Sequence, residues 1–202
     1  MRAELRADGL HISGYVNVPG RISRPVMTSR GKMVEVIEQG AFQRAIDAAV
    51  DGVKMLLDHN PSRLLASTSD STLSVHEDEI GLRAEALVTD PEVIEGARAG
   101  RLRGWSFNMR NVKDEVEERA EELPLRHVKA FDMDEITLAM NKVPVYSATS
   151  VEIRAEEAED VEERASVEAV ELVLPPEEPE DPIAEYKKRL EKIRKDQEVT
   201  KC

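Results

Sequence analysis

Three short stretches alternate apolar and polar residues with a period of two, and that period commits each to a strand with one face inward. In GWSFNMR, Trp105, Phe107 and Met109 share one face, while Ser106, Asn108 and Arg110 share the other. In DEITLAM, Ile136, Leu138 and Met140 oppose Glu135, Thr137 and Ala139. In VKMLLDHN, Val53, Met55 and Leu57 lie in phase with His59 at the strand's end, where a histidine can leave the core and reach a cleft. The aromatics need not touch Ser106. Buried, each large side chain contributes roughly 1.5–3 kcal/mol, enough to anchor the strand and hold the serine rigidly on its opposite face.

Other segments read around this frame. LHISGYVNV is an opening strand. EVIEQGAFQRAIDAAV is a strand end, a turn at Gly40 and a helix with Phe42, Ile46, Ala49 and Val50 inward. TLSVHEDEIGLRAEALV is a hairpin turning at Gly81. Asp90 and Pro91 start a short helix that ends at Gly100. HVKAFDMDEITLAM supplies further strand, and PVYSATSVEIR closes the domain. Many short strands with two or three helices predict an α+β fold: a twisted, largely antiparallel barrel or sheet with helices outside.

Charge divides the chain into residues 1–154, 155–181 and 182–202. The middle segment carries twelve acids and a single basic residue, Arg164, with prolines at 175, 176 and 179. It reads as a solvated, disordered linker. In 182–202, Ile183, Tyr186, Leu190 and Ile193 form one narrow stripe, so a C-terminal amphipathic helix is expected to dock on a partner. The net charge of -13 opposes a nucleic-acid binder that works by releasing counter-ions. No apolar run approaches the roughly 18 residues of a membrane span. The only cysteine is Cys202, which rules out an intrachain disulfide and a cysteine metal cage and fits a reducing compartment.

Serine, histidine and carboxylate are the parts of an acyl-transfer site, in which a histidine activates the hydroxyl and a third group orients the histidine. Pattern alone leaves Ser106 an ordinary strand serine and His59 an ordinary loop histidine, because such sites are defined by geometry. G-x-S-x-G is missing, so an α/β-hydrolase arrangement is not indicated. The four histidines (His11, His59, His76, His127) show neither H-x-x-x-H nor H-E-x-x-H spacing, so neither metal nor cofactor is expected.

Taken in order, GYVNVPGRISRPV, GKMVEVIEQGAFQRAI, VKMLLDHNPSRLLAST, LSVHEDEIGLRAEALV, GRLRGWSFNMR and RHVKAFDMDEITLAMNKVPVYSATSVEIR resemble the prohead proteases of tailed phages, themselves distantly similar to herpesvirus assemblins. The resemblance spans about Leu10 to Arg154. It implies an assemblin-like fold and a serine endopeptidase that cleaves major capsid protein and scaffold segments, and itself, inside the procapsid in the host cytoplasm. It implies Ser106 as nucleophile and His59 as base, with Glu135 preferred as third member and His127 or Glu85 as alternatives. Backbone N–H groups, Arg110 or Lys142 are candidate oxyanion donors. A homodimer is a further possibility by analogy with assemblins. The chain departs from the pattern at Asn108, where relatives carry glycine, and at Thr137 and Ala139. A catalytically inactive assembly factor of the same fold is the rival reading.

Overall fold

The computed structural model describes residues 1–140, 162–167 and 170–175. The expected PVYSATSVEIR strand, Lys142 and the 182–202 helix lie outside the described residues. The chain opens with β1 (Arg2–Arg6), β2 (Gly9–Asn17), β3 (Val26–Thr28) and β4 (Gly31–Ile37), then α1 (Ala41–Ala48). The pair β5 (Lys54–Leu57) and β6 (Asn60–Ser67) follows, then β7 (Leu73–Glu77), β8 (Leu82–Val88) and α2 (Pro91–Arg98). The last strands are β9 (Gly104–Glu117), β10 (Leu125–Asp132), β11 (Glu135–Ala139), β12 (Glu162–Val167) and β13 (Glu171–Val173).

These strands form two sheets. One runs β13-β1-β2-β8-β7; the other runs β3-β4-β10-β9-β11-β5-β6, with β12 also on β9. The α+β class holds. A barrel does not: among the described residues β3 and β6 remain separate edges, and so do β13 and β7, so neither sheet closes on itself. Alternation assigns faces to strands but carries no information on strand order, which is why it left barrel and open sheet undivided. Most ladders are antiparallel, and β1·β13, β4·β10 and β5·β11 are parallel.

The two sheets share one core. All three phenylalanines meet in it: Phe42 of α1 packs edge-on against Phe107 of β9 (5.1 Å between centroids) and Phe131 of β10 (5.2 Å). Such edge-to-face contacts add about 0.5–1.5 kcal/mol beyond area burial. Trp105 is fully buried and lies against Gly14 of β2, where a Cβ would come within 3.1 Å of its indole nitrogen. That missing side chain lets β2 and its sheet approach β9. Helix α1 lacks a side-chain cap of its own; Glu77 of β7 accepts instead from the N–H groups of Gly40 (2.6 Å) and Gln43 (3.0 Å). Helix α2 is capped as expected, with Asp90 accepting from the N–H groups of Glu92 and Val93.

Two expectations change. Val50 is 98% exposed, because α1 ends at Ala48 and Val50 falls beyond its last turn. The segment read as a disordered linker contributes β12 and β13. Its acid count suggested solvation, but free edges of β9 and β1 offer backbone partners that composition cannot register. Phe107→Ala should lower stability by about 3–5 kcal/mol, the usual cost of emptying an aromatic core site, whereas Val50→Ala should stay within about 0.5 kcal/mol. Urea-unfolding midpoints of the two variants check both values.

Candidate active site

His59 sits in a turn rather than on a strand. Only Asp58 and His59 separate β5 from β6, and both have positive φ (50° and 56°), as a type I′ hairpin turn requires. Asp and His tolerate this left-handed region better than most side chains. The turn is tied to β11 twice. The Asp58 N–H donates to the Leu138 carbonyl (3.1 Å), and the Asp58 carboxylate accepts from the Met140 N–H (2.8 Å). The imidazole is thereby returned over β11.

Three side chains from three elements meet there. His59 Nε2 lies 2.6 Å from Ser106 Oγ, and His59 Nδ1 lies 2.6 Å from Glu135 Oε1. Thr137 Oγ1 is also 3.2 Å from Nδ1. Register explains the meeting: β9 and β11 pair antiparallel with Thr137 opposite Ser106, and β11 and β5 pair in parallel with Leu138 beside Leu57. Ser106 and Glu135 are buried, and the imidazole is nearly so. A carboxylate that accepts the Nδ1 proton leaves the lone pair on Nε2, the tautomer able to take a proton from the serine hydroxyl.

Other candidates lie elsewhere. His127 on β10 contacts Glu117 (3.3 Å) and is half exposed. Glu85 on β8 pairs with Arg83. Arg110 pairs with Asp134 at 2.9 Å.

The family model of the caudovirus prohead serine protease matches residues 1–164, a span that includes the paired serine and histidine. The chain belongs to that family. It is accordingly a serine peptidase. No curated protein and no solved structure matches it. The family match runs past the expected domain end at 154 and into β12.

β12 lies against the serine. β9 uses one edge for β11 at Gly104–Phe107, and its other edge for β10 only from Arg110 onward. β12 fills the remainder of that second edge, antiparallel, with Ala165 opposite Ser106 and Arg164 opposite Phe107. The Ser106 hydroxyl donates to the Arg164 carbonyl at 2.7 Å. The Arg164 side chain, 10% exposed, bonds both oxygens of buried Glu35 on β4, at 2.9 Å to Oε2, and also bonds Glu162. Arg126 on β10 holds Glu162 through two bonds (2.5 and 2.7 Å), reaches Glu35 at 3.4 Å and pairs with Asp114.

Sequence reasoning named Glu135, His59 and Ser106 but assigned no role to Thr137, Asp58, Glu35, Arg126 or Arg164. Thr137 had a signal, since it shares the polar face of Glu135. The charged cluster had a faint one: a lone arginine in an acidic run, two residues after a glutamate.

Burial tends to raise the pKa of Glu162, but the hydrogen bond from Arg126 and the charges of Arg164 and Arg126 outweigh it, so the carboxyl lies below its ordinary value of 4.5. Asp114 is held low in the same way: burial raises it, and Arg30 and Arg126 overcome that. A carboxyl depressed by folding contributes stability above its unfolded pKa and loses it as pH falls through the folded value. Docking of β12 should therefore be complete at neutral pH and weaken below about pH 4.5. Amide exchange corrected for intrinsic rates should show protection of residues 162–167 falling in that range before that of β11.

Proposed function

We propose that Ser106 is the nucleophile, His59 the general base and Glu135 the group that orients and charges-balances the imidazole, in an endopeptidase acting on procapsid proteins. The observation that carries this reading is the hydrogen-bonded series Ser106–His59–Glu135, with 2.6 Å at each step. His59 Nε2 takes the Ser106 proton as Oγ bonds to the scissile carbonyl carbon. The tetrahedral oxyanion collapses, the C–N bond breaks, and the leaving amine receives that proton from His59. Water, deprotonated by the same imidazole, then hydrolyses the acyl-enzyme. Glu135 favours the imidazolium formed in both steps, and Thr137 restricts the ring beside Nδ1.

The family supports capsid and scaffold segments as substrates, met inside the procapsid in the host cytoplasm. Self-cleavage within 155–181 belongs to the same proposal, because the chain delivers part of this segment to Ser106. The 182–202 segment is proposed to tether the enzyme to a scaffold or capsid partner. The non-enzymatic assembly-factor reading has no observation in its favour here.

Ser106→Ala or His59→Ala should lower kcat by about 10⁶, and Glu135→Gln by about 10⁴, the losses seen when a triad member is removed. His127→Gln should leave kcat within about twofold, since that ring contacts Glu117 and not His59. Coexpression with the capsid protein, followed on a gel, measures the large losses. Processing that persists in Ser106→Ala removes the serine from the mechanism.

A further inference from the structure

We propose that the Gly104–Met109 edge of β9 is the enzyme's peptide-binding edge. It takes an extended segment as an antiparallel strand and selects an arginine preceded two residues earlier by an acid. Its bearing on cleavage rests on Ser106 as nucleophile; its bearing on binding does not.

The edge is a consequence of topology. β10 leaves β9 at Asp132, opposite Arg110, and the ladder on the second edge of residues 104–109 is supplied by β12. Unpaired backbone groups in a buried strand are costly, and a sheet edge in that state binds extended peptides by strand addition. The main-chain ladder accepts any sequence, so selectivity has to come from side chains of alternate residues.

Glu162 and Arg164 are such alternate residues, and each meets its complement. Glu35 accepts the guanidinium through both carboxylate oxygens, and Arg126 holds the Glu162 carboxylate through two nitrogens. Both receptors belong to the framework: β4 and β10 pair in parallel with Arg126 beside Glu35. A bidentate, buried arginine site discriminates strongly, because any occupant lacking the guanidinium leaves Glu35 short of a partner. The carbonyl delivered to Ser106 is that of the same arginine. The side chain read by Glu35 is thus adjacent to the bond offered to the serine.

The chain's own β12 is a held occupant. Ser106 has one hydroxyl proton and two neighbours, the Arg164 carbonyl and His59 Nε2. While the proton points to the carbonyl it is not available to the base. A tethered strand of this kind competes with any incoming peptide at high effective concentration.

Binding is tested on the full chain carrying Ser106→Ala, so that cleavage plays no part. The probe is a fluorescein-labelled decapeptide, EDVEERASVE, copied from residues 159–168. Adding Arg164→Ala should release the tethered strand and tighten probe binding, read by anisotropy, at least about tenfold. On that double variant, replacing the peptide's arginine by alanine should weaken binding at least about tenfold. Glu35→Gln should erase the difference between the two peptides. Glu162→Ala is the second release variant and should act in the same direction, so an unfolded Arg164→Ala chain does not end the test. Equal probe affinity with and without release, or equal affinity for the arginine and alanine peptides, overturns the proposal. Because the serine is already absent, these results are independent of whether Ser106 is the nucleophile.

Discussion

β9 must be paired on both edges over the stretch that carries Ser106, and most of the structure follows from that constraint. On one side β11 supplies Glu135 and Thr137, and through its parallel partner β5 it also fixes the His59 turn. On the other side β10 satisfies only residues from Arg110 onward, and β12 completes the ladder. Trp105 and Phe107 pin the strand from the core. A serine placed on a strand held in this way has little freedom to leave the imidazole.

The chain is strongly acidic, yet its most buried ionic cluster is balanced. Glu35, Glu162 and Asp114 face Arg126, Arg164 and Arg30. Buried ion pairs return little net stability, because desolvation of both partners offsets their attraction. A charge withdrawn from water nevertheless tolerates one complement and penalises the rest. Here two of the charges, Glu162 and Arg164, lie on the strand that touches Ser106, so the ionic cluster and the Ser106–His59 pair share one edge.

Legibility differed by residue. Trp105, Phe107 and Met109 declared the buried face of β9 by alternation alone, and the hairpin at Gly81 and the Asp90 cap were equally plain. His59 was placed at a strand end but not in a left-handed turn, because Asp-His is an uncommon type I′ pair and Asn-Gly or Asp-Gly is the usual signal. β6 carried no clear period: Asn60, Pro61 and Ser62 begin it and all three are exposed. β12 was hidden by composition. Acids at 156, 157, 159 and 160 mark the segment as solvated, and a lone arginine in that run does not by itself point to the buried carboxylate on β4.

Local sequence determined which residues face inward along β9, where α2 is capped, and that a serine and a carboxylate were available on polar faces with a histidine at a strand end. These are properties of period and side-chain chemistry within about ten residues. Tertiary structure alone decided that Glu135 rather than His127 lies beside His59, that the sheets stay open, and that an acidic segment becomes a strand beside Ser106. Each of those depends on strand order and register between distant segments, and pairing energy there comes from partners that no local window contains.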